Sequence, residues 1–247
     1  MKLTLSESRL LKDPINIISE LVNEVTFKLD QDKIEVIAMD PANVAMVIFR
    51  LLSSAFVDYS LDEPVALSVN LDSLKQVLRR AKPQDIIILE LEENKLRIEF
   101  SGESTRVFHL SLLNLEKQQQ KIPELSFPAS LELSSSVLTE AIEDMDIIAD
   151  AVLFTLEPSK FSIEASGTLS KAKIDLQKSD DLKISMANDS KVKSKYSVEY
   201  LKKIMKGSKL ANSASVYFAD NYPLKVQYKL LDKLDLEFIL APRVQND

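Results

Sequence analysis

The feature that most constrains this sequence is an approximate internal duplication with an offset of 127 positions. From about residue 8 to residue 91, apolar residues of one copy fall on apolar residues of the other without a gap. Ile15 aligns with Ile142, for example, and Leu74 aligns with Leu201. A one-residue shift extends the match to the end of each copy. Because the helical and extended apolar periods change at the same places, we predict two domains of one fold.

Each copy has the pattern of a mostly antiparallel domain with two helices. In the first copy the predicted strands are residues 2–5, 25–29, 34–38, 44–49, 86–91, 96–100 and 106–112, and the second helix is 71–82. Glu93 and Asn221 lie in turns at equivalent hairpins. Two amphipathic helices among runs of strands indicate an α+β fold with antiparallel sheets.

The first helix carries a proline. Asp13 followed by Pro14 suits an N-cap and a first helical residue, since a proline inside a helix removes a backbone hydrogen bond. We therefore expect this helix to start late or to kink at Pro14.

A polar segment separates the two copies. It contains a glutamine run and neither apolar period, which is typical of a linker. The predicted boundaries are 1–113 for the first domain, 114–128 for the linker and 129–247 for the second domain. Ile122, Leu125 and Phe127 are too apolar for a free tether, so we expect them to lie against a domain surface.

Composition excludes several classes of enzyme. The 247 residues include no cysteine, one histidine (His109) and three isolated glycines. A thiolate zinc site, a cysteine nucleophile, a GxGxxG loop and a P-loop are therefore impossible. No apolar stretch approaches the ~20 residues that span a bilayer. We expect a binding or structural protein of the cell interior that is not an enzyme and needs no metal, cofactor or membrane.

Three segments carry a resemblance to a known family. They are residues 38–44 (AMDPANV), residues 121–127 (KIPELSF) and residues 240–244 (LAPRV), and they occur in family order within a duplicated chain. The sequence resembles the DNA sliding clamps of the PCNA family, of archaeal type.

The resemblance implies the DNA-clamp fold and a ring of six domains, built from three chains, around double-stranded DNA of any sequence. It implies a processivity factor for DNA replication and DNA repair. The partners would be DNA polymerase, the clamp loader, flap endonuclease and DNA ligase, which the family binds through PIP-box peptides. The location would be the cytoplasm and nucleoid of an archaeal cell, or the nucleus of a eukaryote.

The second helix of each copy is basic, as contact with DNA phosphates requires. Residues 71–83 and 198–209 each have a net charge of +3, with four basic residues against one acidic residue. We expect DNA contacts from Lys75, Arg79, Arg80, Lys82, Lys202, Lys203, Lys206 and Lys209. The predicted helix at 137–150 departs from this pattern, because it carries five carboxylates and no base.

The resemblance also implies a partner pocket and a subunit interface. The pocket residues would be Met39, Asn43, Val44, Ile122, Pro123, Leu125, Phe127, Pro223, Ala241, Pro242, Arg243 and Val244. For Val44 and Phe127 a role in the core is an equal alternative. The interface would pair residues 105–112 of one chain with residues 170–177 of the next, through Thr105, Val107, His109, Lys171, Lys173 and Ile174.

Two other functions fit part of the pattern. The chain could be a specialised subunit of a heterotrimeric or checkpoint-type clamp. It could instead be a metal-dependent hydrolase that uses Glu140, Glu143, Asp144 and Asp146, because carboxylates three and four residues apart share a helix face.

Overall fold

The computed structural model describes residues 1–115 and 120–243 and divides into two compact units. The first unit consists of Met1–Pro41, Val47–Ile122 and Leu230–Leu236. The second consists of Ala42–Met46, Pro123–Lys229 and Glu237–Asp247. None of the helices in the described residues is long and apolar enough to cross a bilayer.

The first half of the chain contains nine strands and two α-helices in its described residues. In order they are β1 (Lys2–Leu5), α1 (Arg9–Ile18), β2 (Glu24–Leu29), β3 (Lys33–Met39), β4 (Ala45–Leu52), β5 (Asp58–Ser60), β6 (Val65–Asn70), α2 (Leu71–Leu78), β7 (Ile86–Glu92), β8 (Lys95–Ser101) and β9 (Thr105–Ser111). A short 3-10 helix, Ser53–Ala55, follows β4.

The second half contains the same elements in the same order. They are β10 (Ala129–Ser134), α3 (Ser135–Asp146), β11 (Ala151–Glu157), β12 (Lys160–Ser166), β13 (Lys171–Gln177), β14 (Leu182–Met186), β15 (Val192–Ser197), α4 (Val198–Met205), β16 (Ser213–Phe218), β17 (Leu224–Leu230) and β18 (Leu234–Leu240). Here a 3-10 helix, Lys206–Lys209, follows α4.

The strand orders confirm the duplication. In the first half the strands run β5-β1-β7-β8-β9 and β6-β2-β3-β4. In the second half they run β14-β10-β16-β17-β18 and β15-β11-β12-β13. The registers agree as well, since Leu3 lies opposite Leu89 in the first half and Leu131 lies opposite Val216 in the second. The predicted α+β class with antiparallel sheets is therefore confirmed.

The sequence patterns missed two strands in each half. β5 has only three residues, all polar or aromatic, and shows no apolar alternation. β6 alternates but runs directly into α2, because Asn70 ends the strand and also caps the helix by accepting a hydrogen bond from the Ser73 amide at 3.0 Å. The turn predictions are confirmed, since Glu93 and Asn221 have φ angles of 48° and 47° between paired strands.

The expectation that the first helix starts late, at Pro14, is wrong. α1 begins at Arg9, so Pro14 lies inside the helix rather than at its first residue. The helix loses the bond that a residue-14 amide would donate to the carbonyl of Leu10. Pro14, Leu10 and Ile15 are all buried, and the burial of apolar surface on this face offsets the missing bond.

The two units fill their cores with different side chains. In the first unit, mainly aliphatic residues of both strand groups and both helices line one small cavity of about 30 Å³; they include Leu3, Leu11, Phe27, Leu67, Leu74 and Leu89. In the second unit, Phe154 of β11 makes edge-to-face contacts with Phe161, Tyr196 and Phe218, with ring centroids 5.2, 5.5 and 6.0 Å apart. Such aromatic pairs stabilise a core beyond the area they bury.

Gly207 allows the 3-10 helix after α4 to approach this second core. A Cβ atom at position 207 would overlap the ring of Tyr228, which is fully buried and whose hydroxyl faces the Met205 sulfur at 3.7 Å. The close approach positions Lys206 and Lys209, which flank Gly207 on the same short helix.

We predict that Gly207→Ala lowers the free energy of unfolding by about 1–3 kcal/mol, because the added methyl group overpacks the site. The matched control is Ser208→Ala, which removes an atom next to the same glycine and should have little effect. Chemical denaturation of both variants checks this, and equal stability of the two would contradict the proposed overlap.

Candidate nucleic-acid and partner interfaces

Helix α2 presents a basic surface beside its buried stripe. Leu71, Leu74 and Leu78 are buried, whereas Arg79 and Arg80 immediately after the helix are exposed. Neither guanidinium forms an ion pair with any described residue. Lys82 differs, because its ammonium lies 2.7 Å from the exposed carboxylate of Glu103. The structure therefore leaves Arg79 and Arg80 as the most available cations of this helix.

Helix α1 packs beside α2 through its polar side chains. The Lys75 ammonium donates to the Ser19 hydroxyl at 3.0 Å, and the Lys12 ammonium lies 3.5 Å from the carbonyl of Ala81. Lys75 also lies 3.9 Å from the exposed Asp72 carboxylate. These contacts hold two lysines between the helices of the first unit.

Helix α4 carries its lysines in ion pairs. Lys202 contacts Asp146 of α3 at 2.6 Å, and Lys203 contacts Glu199 at 2.9 Å. Lys203 also lies over the ring of Tyr200, with the ammonium 5.2 Å from its centroid. The two remaining predicted contacts, Lys206 and Lys209, lie on the following 3-10 helix. The α2 and α4 segments have equal net charge in the sequence, but their basic side chains differ in how they form ion pairs.

The acidic surface of α3 does not form a metal site. Glu140, Glu143, Asp144 and Asp146 are exposed. In the described part of the chain, no group of three or more His, Cys, Asp or Glu side chains converges in a way that could hold a metal ion.

Several predicted partner residues lie together in the second unit. The amide of Ala241 donates to the carbonyl of Val44 at 2.9 Å. The ring of Phe127 contacts those of Tyr217 and Tyr222, with centroids 5.9 and 5.8 Å apart. Tyr222 immediately precedes Pro223 in the chain. All of these residues are half-buried, including Val44 and Phe127.

The other predicted partner residues have different surroundings. Met39 lines a groove of about 280 Å³ in the first unit, together with Leu115 and Gln120 of the linker segment. Ile122 and Pro123 are exposed. Leu125 and Pro242 are half-buried, and Asn43 is exposed with a positive φ of 57°. Val244 and linker residues 116–119 lie outside the described residues.

Arg243 anchors the C-terminal segment, a contact that the sequence patterns did not reveal. Its amide donates to the carbonyl of Lys195 at 2.7 Å, and its guanidinium lies 2.8 Å from the carboxylate of Asp150. The hydrogen bond from Arg243 holds the pKa of Asp150 below its usual value of 3.8. The pair is therefore present at neutral pH and is lost as the pH falls through this lowered pKa.

The two predicted interface strands lie at outer edges. β9 and β13 are the last strands of their groups, and each has seven residues in strict exposed and half-buried alternation. Within the described residues, no backbone hydrogen bond from another segment reaches either outer edge. The edge strands β6 and β15 differ, because another segment of the chain does bond to them. The Leu113 amide donates to the carbonyl of Ser68 in β6, and the Arg243 amide donates to the carbonyl of Lys195 in β15.

The predicted interface side chains already have partners within the chain. His109 lies 3.2 Å from Glu92, and Lys173 lies 3.4 Å from Glu164. The hydrogen bond to Glu164 raises the pKa of Lys173. Thr105, Val107 and Lys171 are exposed, and Ile174 is half-buried. A partner strand would therefore meet a surface of both polar and apolar character.

Comparisons with known proteins give one consistent result. A family model described as proliferating cell nuclear antigen, N-terminal domain, matches residues 1–120, and its C-terminal counterpart matches residues 121–243. The DNA polymerase sliding clamp of Nanoarchaeum equitans is 34% identical over 98% of this chain and 99% of its own. That of Pyrococcus furiosus is 34% identical over 94% of both chains. The crystal structure of PCNA from Thermococcus kodakaraensis superimposes with a TM-score of 0.92 at 25% identity, covering 98% of this chain and 99% of the other.

We predict that Asp150→Asn speeds tryptic cleavage after Arg243, because the guanidinium is then no longer held by a carboxylate. Asp180→Asn, which neutralises an exposed carboxylate with no ion pair among the described residues, is the control and should leave the rate unchanged. Mass spectrometry of the first products measures both rates. Equal cleavage of the two variants would show that Asp150 does not anchor the segment.

Proposed function

The chain belongs to the proliferating cell nuclear antigen family of DNA polymerase sliding clamps, and we propose that three copies form a ring around duplex DNA. The observation that carries this proposal is the repeated topology, by which each chain supplies two domains of one fold. A closed ring of six such domains needs three chains. A ring linked topologically to DNA keeps a polymerase on its template without base-specific contacts and without catalysis of its own.

Ring closure would use β9 of one chain and β13 of the next. Both are edge strands of seven residues whose outer backbone groups are available, and such edges are templates for a further strand. Phe108 on β9 and Ile174 on β13 are half-buried within their own units. Pairing of the two edges would cover the rest of these apolar side chains, which supports an interface at this place.

We expect a native mass near three times 27.8 kDa for the purified chain. Val107→Asp places a charge on the β9 edge and should reduce the mass to that of one chain. Val57→Asp is the matched control, because Val57 is 70% exposed in a loop and Val107 is 41% exposed. Light scattering across a concentration series measures all three proteins.

Two other outcomes would change the proposal. A wild-type monomer that assembles only with paralogous subunits would identify the chain as one member of a heterotrimeric clamp. A Val107→Asp variant that stays trimeric would remove β9 from the interface.

The second proposal concerns how partners bind. DNA polymerase, the clamp loader, flap endonuclease and DNA ligase would each insert the apolar anchors of a PIP-box helix into the surface formed by Val44, Phe127, Pro223 and Ala241. Partly exposed apolar side chains on a rigid framework are what such a helix requires. Phe127 is the residue on which this surface most depends, because its ring contact with Tyr222 holds the segment that leads into Pro223.

We predict that Phe127→Ala weakens the binding of a PIP-box peptide at least about tenfold, or ~1.4 kcal/mol, while the native mass is unchanged. Phe56→Ala is the control. Phe56 is also half-buried and makes a similar edge-to-face contact with a tyrosine, Tyr59, at 5.1 Å in the first unit. Calorimetry measures both affinities, and an equal loss in the two variants would separate peptide binding from the Phe127 surface.

A further inference from the structure

The same contact between helices occurs in both units, but its chemistry differs. Lys75 of α2 donates to the hydroxyl of Ser19, just after α1, at 3.0 Å. Exactly one repeat later, 127 positions along the chain, Lys202 of α4 contacts the carboxylate of Asp146 in α3 at 2.6 Å. The Ser19 hydroxyl carries no charge, and the Asp72 carboxylate lies 3.9 Å from Lys75, against 2.6 Å between Asp146 and Lys202. The charge of Lys75 is therefore compensated less than that of Lys202.

The surrounding side chains increase this difference. In the first unit Arg79 and Arg80 are exposed and form no ion pair with a described residue. In the second unit Lys203 is paired with Glu199 at 2.9 Å. The exposed carboxylates of α3 that have no cationic partner among the described residues are Glu140, Glu143 and Asp144.

The net charges of the two helix pairs have opposite signs. Residues 9–18 and 71–82 contain six basic and two acidic residues, a net charge of +4. Residues 135–146 and 198–209 contain four basic and five acidic residues, a net charge of −1. Duplex DNA carries about one negative charge per 1.7 Å of its axis, so the first helix pair attracts it and the second does not.

We propose that the α1–α2 face of the first unit makes the phosphate contacts with duplex DNA. The Lys202–Asp146 pair and the carboxylates of Glu140, Glu143 and Asp144 on α3 keep the α3–α4 face from making that contact. This inference rests on the proposed clamp function, in which both helix pairs face the DNA. Among the DNA-binding residues predicted from sequence, it separates Arg79 and Arg80, which form no ion pair with a described residue, from Lys202 and Lys203, which are paired with carboxylates.

The first experiment compares two double variants that remove the same number of charges. Arg79→Ala with Arg80→Ala alters the first unit, and Lys202→Ala with Lys203→Ala alters the second. Fluorescence anisotropy with a linear duplex at low ionic strength gives the dependence of log affinity on log salt concentration. We expect the first variant to reduce the slope by about 2, at ~0.9 per lost phosphate contact, and the second to leave it unchanged.

A reciprocal exchange tests the role of the helix contact itself. Asp146→Ser gives Lys202 the neutral partner that Lys75 has, so we expect a steeper salt dependence by about 1 and tighter binding. Ser19→Asp gives Lys75 a carboxylate across the helix pair, in addition to Asp72 at 3.9 Å, and should weaken binding. Circular dichroism and native mass confirm that each variant keeps its fold and assembly.

The outcomes separate this inference from the proposed function. Equal slope losses in the two double variants, or no gain with Asp146→Ser, would overturn the asymmetry while leaving the ring intact. Failure of the wild-type protein to remain on circular DNA under conditions in which it leaves linear DNA would instead overturn the encircling ring.

Discussion

Antiparallel pairing of the first strand of each copy with a strand on either side holds the structure together. β1 pairs with β5 on one side and with β7 on the other, and β10 pairs in the same way with β14 and β16. These bonds join segments that are far apart in the chain, so the five-strand order exists only when the first strand is in place. The order leaves β9 at an outer edge. It also fixes the start of the first helix, because α1 begins four residues after β1 ends.

The topology constrains the backbone much more than it constrains the side chains. In the first unit mainly aliphatic residues, among them Leu3 and Leu74, line a small cavity, whereas the core of the second unit contains a cluster of rings centred on Phe154. Lys75 and Lys202 occupy equivalent positions, yet across the helix pair the first meets the Ser19 hydroxyl and the second meets the Asp146 carboxylate. Two copies of one fold can in this way contribute unequally to one function.

Local patterns predicted where the candidate contact residues lie better than they predicted whether those residues form ion pairs. Lys and Arg residues off the apolar stripes of α2 and α4 are on the surface, as the 3.6-residue period requires. The same period could not show that Lys202 is neutralised, because Asp146 lies 56 positions away in the chain. The anchor between Arg243 and Asp150 spans 93 positions and was missed for the same reason. For Pro14 the local rule that a proline begins a helix gave the wrong start for α1, because burial of the surrounding helix outweighed it.

The amino-acid sequence by itself determined that the chain holds two domains of one antiparallel α+β fold, because apolar periodicity is a local property that repeats visibly at a fixed offset. It also determined which cofactor motifs are impossible, through the absence of cysteine and the isolation of each glycine. Only the tertiary structure decided which strand edges are open, which lysines form ion pairs with carboxylates and where the C-terminal segment is held. Those properties depend on distances between residues that are remote in the chain, and a pattern along the chain carries no information about such distances.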